Sequence, residues 1–320
     1  MRSRGYILKR VVQYGISLWL ILTLNFFLFR MLPGDPLRLL FSDPRVPLET
    51  LEKLRVQFGL DGSLLHQYGL YLLNTVRGEL GTSFVYNAPV ADILADRLIN
   101  TVILLVPSTL LSIVLGCLMG IIAAVLRGRT ADILSLSFSQ LLWATPAFWL
   151  GLLFMMASGG MLPLAGMSTA GMTFHSLGEK LLDLGRHLLM PLVTLTLVTL
   201  GQYAIVMRNS LIDVLTEDYM LTARAKGLSG SRILFSHALP NAVLPVMTLA
   251  ALNIGLLIGG AIQTETVFTW PGVGRLIFEA LLSRDYPVLQ SAFLVITVCA
   301  LGANLLSDLL YSTIDPRIQA

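Results

Sequence analysis

Charge is what this chain has least of. Only 13% of its 320 residues are Asp, Glu, Lys or Arg, against about a quarter in a soluble domain. Hydrophobic residues make up 55% and the mean hydropathy is +0.76. That balance excludes an ordinary soluble enzyme and points to a membrane protein. Cysteine is scarce too. Cys117 and Cys299 each sit inside a long apolar run, so they read as small core residues rather than a disulfide staple. His66, His175, His187 and His237 show no metal-ligand spacing, so no metal site is expected. There is no Gly-x4-Gly-Lys-Ser/Thr run to cradle ATP phosphates, and Gly272-x-Gly274 lacks the third glycine of a dinucleotide loop. No Ser/His/Asp arrangement can be argued from sequence order. The expectation is a protein without catalytic residues or cofactor. A net charge of +3 is too small to indicate nucleic-acid binding.

What the chain does have is long apolar runs. A helix needs about 20 apolar residues to cross a bilayer, and six segments qualify, near Val11–Phe29, Ile99–Leu126, Ile133–Ala157, His187–Met207, Ala242–Ile262 and Val288–Tyr311. Backbone groups in lipid must bond internally, so these are expected to be helices. Pro107, Pro146, Pro191 and Pro245 fall within or near their ends and predict kinks or tight contacts. Lys9 and Arg10 precede the first run as in a signal peptide. The run is too long for one, however, and lacks a small-residue cleavage site, so it reads as a retained anchor.

Basic residues set the expected orientation. With the N-terminus inside, residues 1–10, 127–132, 208–241 and 314–320 are inside and carry 11 Lys and Arg against 5 Asp and Glu. The outer segments 30–98, 158–186 and 263–287 carry 11 against 13 over twice the length. The positive-inside rule therefore places both termini in the cytoplasm.

The segments between spans carry their own signals. Turn residues at Pro33-Gly34-Asp35-Pro36 and Asp43-Pro44 precede a helical periodicity of Leu48, Leu51, Leu54 and Phe58. A second amphipathic run covers His66 to Val76. Residues 271–287 read as a short helix and turn. Pro271 and Gly272 break the preceding helix, Leu276, Ile277, Ala280 and Leu281 form an apolar face, and Pro287 starts the next span. The inner segment 208–241 is the most informative. Thr216 or Asp218 can cap a helix through Tyr219–Lys226, which Gly227 ends in a left-handed conformation. Ser229 can cap a second short helix through Ser231–Ala238, closed by Leu239-Pro240. This basic hairpin, with Arg224, Lys226 and Arg232, is either a generic membrane-surface element or a rigid knob that docks into another protein. A bulky residue at Gly227 is expected to strain the turn and push the two helices apart.

These motifs resemble those of ABC importer permeases. Their signature is the EAA loop: Glu-Ala-Ala, three residues, Gly, nine residues, then Ile-x-Leu-Pro. Here Ala223, Gly227, Leu239 and Pro240 match at that spacing, while Leu221, Thr222 and His237 depart from it. Asp218-Tyr219 and Ala223-Arg224-Ala225-Lys226-Gly227-Leu228 reproduce the form of the peptide-type subfamily. Further agreement runs along the chain, in Leu32–Pro36, Phe58–Asp61, Gly78-Glu79-Leu80-Gly81-Thr82-Ser83, Trp270–Arg275, Arg284-Asp285-Tyr286-Pro287, Asp308–Tyr311 and Asp315-Pro316-Arg317. The chain is thus similar to the first permease of a dipeptide, oligopeptide or nickel importer.

The resemblance implies an all-α integral membrane protein of six helices with the type I ABC importer permease fold. Residues 1–98 would form an anchor helix plus outer helical segment, and 99–320 a five-helix core with the coupling hairpin at 208–241. It implies a second homologous permease (a heterodimer), two ATPase subunits and an extracytoplasmic substrate-binding protein, in a bacterial or archaeal cytoplasmic membrane. Asp218, Tyr219, Ala223, Arg224, Ala225, Lys226, Gly227, Leu239 and Pro240 would couple to the ATPases. Pro271, Gly272 and Gly274 would form an outer gate or turn. The cargo would be small peptides or nickel and metal–chelate complexes. A self-sufficient secondary transporter or channel is the rival reading; such proteins often carry inverted repeats and intramembrane charges. No repeat is visible, and Asp308 is the sole acidic residue within the expected spans. Asn25, Gln140, Gln202, Asn209, Asn253, Gln290 and Asn304 are further polar candidates within or near spans, with interhelical hydrogen bonding as their plainer role. The run Gly255–Gly260 permits close helix approach.

Overall fold

The computed structural model describes residues 4–30, 62–250, 253 and 261–314. Among these residues every regular element is a helix, and the one strand-like contact is a bridge between Thr82 and Pro89. Five helices are long and apolar enough to cross a bilayer, and a bent helix pair makes a sixth. The all-helical membrane class is therefore as expected. The Leu32–Pro36 and Phe58–Asp61 motifs, the Pro47–Phe58 periodicity, the Gly255–Gly260 run, the Asp308 side chain and Asp315–Arg317 lie outside the described residues. Two compact units form, residues 1–101 with 271–305, and residues 102–270 with 306–320. Packing thus draws residues 271–305 to the N-terminal part, where the sequence reading set its boundary at residue 98.

In the first unit α1 (Arg4–Arg30) is mostly apolar from Val11 to Phe29, with its charges at the two ends. Val11, Val12, Ile16, Leu20, Leu24 and Leu28 stay exposed, as befits a helix whose solvent is lipid. Near its end it meets α2 (Leu64–Arg77). Thr23 Oγ1 and the Tyr68 hydroxyl lie 2.7 Å apart, and the Phe26 ring packs on Tyr68 and Tyr71. Asn25 Nδ2 donates to the Gln290 carbonyl at 2.9 Å. Ser63 caps α2, and Gly78 ends it in a left-handed conformation at φ +77.

The outer motifs explain one another in this unit. Helix α10 (Val273–Ser283) ends at Arg284, which is left-handed, and Asp285 then caps the last long helix, α11 (Tyr286–Ile314). The fully buried Asp285 carboxylate also accepts from Ser83 Oγ at 2.5 Å and from the amides of Phe84 and Val85 at 3.3 and 3.2 Å. Arg284-Asp285-Tyr286-Pro287 is thus a helix stop, a cap and a start, tied to the Gly81–Ser83 turn. Leu276, Ile277 and Ala280 are buried as expected, but Leu281 is 61% exposed. It falls beside Leu282 and Ser283 on the outward side of the last turn.

The second unit is organised by α6 (Leu177–Leu215), with α3 (Val90–Val125) against it. A Cβ at Gly116 would lie 2.7 Å from the Leu200 carbonyl and the Tyr203 Cβ, and one at Gly120 would lie 2.5 Å from the Ala204 carbonyl. These glycines form a G-x-x-x-G pair that lets two backbones touch. Ser112 Oγ lies 2.6 Å from Thr199 Oγ1, and Thr196 Oγ1 donates to the Ser108 carbonyl. Facing hydroxyls thus find partners where water is absent. At the start of α6, the Asp183 carboxylate accepts from Thr169 N and Oγ1 and ties down the preceding loop.

Two expected spans differ from the sequence reading. Ile133–Ala157 is α4 (Thr130–Ala144) and α5 (Ala147–Ala157), bent by 100° at the break. Pro146 lacks an N–H and forces Thr145 into an extended conformation, ψ 126°. The expected Ala242–Ile262 span is described only in part, residues 251–252 and 254–260 lying outside the described residues, and its helix α8 (Gly230–Ala250) begins earlier than expected, within the inner segment. A separate short helix α9 follows at Ile262–Val267.

Candidate functional site

The hairpin of residues 208–241 is built on the end of α6. Helix α7 (Asp218–Ala225) starts at Glu217, which offers no side-chain cap, so neither Thr216 nor Asp218 plays the expected role. Its C-terminus is as expected. Gly227 is left-handed at φ +74, its amide donates to the Arg224 carbonyl at 2.9 Å, and the Leu228 amide donates to the Ala223 carbonyl at 3.3 Å. This is a Schellman ending, with Leu228 supplying its apolar contact. A Cβ at Gly227 meets nothing within 4 Å. The cost that the structure shows for a Cβ at this position is therefore that of the left-handed backbone.

The second arm departs further. Leu239-Pro240 does not close it. The chain is helical from Gly230, widens to a π-helical stretch over Ile233–Ala238, and continues as α-helix through Leu239–Ala242. Pro240 has no N–H and would clash with a carbonyl one turn back in a regular helix. The wider turn before it removes that conflict, so the proline is absorbed.

The hairpin is a packed knob. Met220 and Ala223 of α7 and Ile233, Ala238, Ala242 and Val246 of α8 share one apolar cluster with Ala124, Tyr203, Met207 and Leu211. Burying Met220 alone contributes about 1.5–3 kcal/mol. The opposite face is open. Tyr219, Leu221 and Phe235 are exposed at 45, 58 and 62%, among exposed Asp218, Arg224, Ala225, Lys226, Arg232 and Pro240. Leu239 is half-buried. Asn241 Nδ2 bonds the Tyr219 hydroxyl at 3.2 Å and joins the two arms. The structure thus brings the expected coupling residues into one knob, with Ala223 on its inner face.

The outer trio sits elsewhere, in the first unit. Gly272 begins α10, the Val273 amide donates to Thr101 Oγ1 at 2.8 Å, and Asn100 Nδ2 donates to the Pro271 carbonyl. Gly274 is buried in the first turn of α10.

Sequence reasoning missed several buried carboxylates. Asp132 on α4 grips Arg208 on α6 at two points, Nε at 2.6 Å and NH2 at 2.7 Å. Asp183, Glu265 and Asp285 are also buried. Three of these carboxylates are also held by a residue distant in sequence, Thr169 14 positions from Asp183, Arg208 76 from Asp132 and Ser83 202 from Asp285, and no local pattern announced those contacts. Glu265 lies just beyond the boundary expected for the fifth span. The Gly116-x-x-x-Gly120 pair was a visible signal.

A compact basic hairpin on the end of α6 is what the EAA-type motif implied, and comparison with known families decides the family. Residues 116–320 match the binding-protein-dependent transport system inner membrane component, and residues 4–105 match the N-terminal part of such membrane components. The chain belongs to the ABC importer permeases. The permease is 38% identical over 318 residues to the glutathione transport system permease protein GsiC of Escherichia coli K12, covering 98% of this chain and 99% of that protein. The same identity and coverage hold for GsiC of Shigella dysenteriae and Shigella flexneri. The permease is accordingly a multi-pass inner-membrane transport subunit and not an enzyme, and family membership replaces the rival reading of a self-sufficient transporter.

Proposed function

We propose that this permease carries small peptides of glutathione size into the cytoplasm, driven by two ATPase subunits that dock on the 208–241 hairpin. The observation that carries the coupling role is the hairpin itself, a knob anchored by Met220 and Ala223 that presents Tyr219, Leu221, Phe235, Arg224 and Arg232 outward. Such a knob transmits force, because its inner face is part of the helix core. Similarity along nearly the whole chain to a glutathione permease supports a peptide cargo over a nickel chelate.

In this reading a second, homologous permease completes the pathway, and an extracytoplasmic binding protein delivers the cargo. The hairpin and both termini face the cytoplasm, in line with the inner excess of Lys and Arg. Pro271, Gly272 and Gly274 shape the outer turn beside Thr101. The test is uptake by the assembled importer in proteoliposomes with ATP inside. Glutathione or dipeptide uptake without nickel uptake supports the proposal. Uptake of nickel chelates alone overturns the cargo assignment, and uptake without ATPase subunits overturns the coupling assignment.

A further inference from the structure

Arg208 lies one turn before Leu211, which packs in the hairpin cluster. Three helices meet at it. The Asp132 carboxylate of α4 holds the guanidinium at 2.6 and 2.7 Å and also accepts the Gly128 amide at 3.0 Å. A Cβ on Gly120 of α3 would lie 3.0 Å from the Arg208 amide. The pair is buried, with side chains 16% and 4% exposed. A two-point Arg–carboxylate contact fixes orientation as well as distance.

A second contact between the same helices shows what the pair fixes. Gly201 of α6 is pressed against the Ser139 carbonyl of α4, where a Cβ would collide with backbone. Gly201 precedes Arg208 by seven residues, and Ser139 follows Asp132 by seven, so two antiparallel helices are locked at points about 10 Å apart. Helices α4 and α6 pack extensively against each other. Six residues beyond Ser139 the chain breaks at Thr145-Pro146 and turns 100° into α5. Gly151 of α5 in turn touches the Phe268 ring.

We propose that Asp132 and Arg208 are a positioning pair that sets the register of α4 on α6, making the two a single lever from the hairpin to the Thr145–Pro146 bend. The inference rests on the hairpin's proposed role in docking the ATPases. A push on the knob moves the end of α6. The ion pair and the Gly201 contact carry that movement along α4 without slip, and the bend delivers it to α5.

The test uses the assembled importer and compares Asp132→Asn, Arg208→Met and the double variant Asp132→Leu/Arg208→Met. Membrane abundance, ATPase co-purification, ATP hydrolysis and glutathione uptake are read together. The double variant leaves no lone buried charge, so it keeps the test open if a single variant fails to accumulate. The expected result is normal co-purification and hydrolysis, with glutathione carried per ATP falling about ten-fold in the double variant, within the range for residues that act as one network. A double variant with the unsubstituted ratio of uptake to hydrolysis overturns the lever. Loss of uptake and hydrolysis in equal proportion also overturns it, because that is the mark of a purely structural pair. Failure of the underlying reading looks different: the unsubstituted permease would then hold no ATPase at all.

Discussion

Gly120→Ala adds one methyl group where α3 crosses α6. Its Cβ would sit 2.5 Å from the Ala204 carbonyl, 2.8 Å from the Met207 Cβ and 3.0 Å from the Arg208 amide. Two of these neighbours are backbone and cannot rotate away. Ordinary contact begins near 3.4 Å, so the helices must part by about 1 Å. A gap of that order forfeits a quarter to a half of the dispersion energy across it. In lipid, packing and hydrogen bonds hold helices together without a hydrophobic drive. Overpacking of this kind costs about 1–3 kcal/mol. At about 2 kcal/mol the thermal midpoint of the purified protein should fall by roughly 3 °C. Gly15→Ala and Gly302→Ala are the controls, since a Cβ at either meets nothing within 4 Å. Fluorescence-detected melting of the three variants reads the effect. A Gly120→Ala midpoint equal to those of the controls would refute the close crossing of α3 and α6.

Three further outcomes are expected. Gly227→Arg should insert and accumulate normally, since only the left-handed backbone is strained, by about 1–2 kcal/mol, yet it should reduce ATPase co-purification and uptake; Gly178→Arg, in the first turn of α6 with its nearest neighbour at 3.8 Å, should be silent in the same blots and uptake assays. Asp285→Ala should leave Ser83 Oγ and the Phe84 and Val85 amides without their acceptor and remove the α11 cap, a loss of about 1–3 kcal/mol, seen as faster proteolysis within residues 79–89; unchanged protection would remove the tie. A reporter fused after Ala320 should be active only in the cytoplasm, and cysteines at Glu279 or Arg284 should react with impermeant reagents from outside; the opposite pattern inverts the topology.

Some helix ends were readable in the sequence, while Thr216, Asp218, Ser229 and Leu239-Pro240 do not play the capping and closing roles expected of them. Gly227 behaves as a left-handed stop because glycine adopts that conformation without strain, and Pro287 marks the start of α11 for an equally local reason, whereas the cap at Asp285 was not foreseen. Hydropathy located the spans but not their shape. In Ile133–Ala157 Pro146 announced a kink, but an apolar run gives no sign that the bend reaches 100°. Pro240 misled in the opposite direction. A proline normally ends a helix, but the six-residue π-helical stretch before it depends on packing within the hairpin, which local pattern does not encode. The Asp132–Arg208 pair and the Asp285 contacts join distant segments, and a single sequence offers no sign of such partners.

The docking of ATPases on the hairpin is tested most directly by cross-linking in the assembled importer. Single cysteines at Leu221 and Phe235, the exposed apolar side chains of the knob, should form cross-links to an ATPase subunit with a short bifunctional reagent, and a cysteine at the equally exposed Leu281 should form none. An intact importer in which neither hairpin cysteine reaches an ATPase would contradict the proposed coupling.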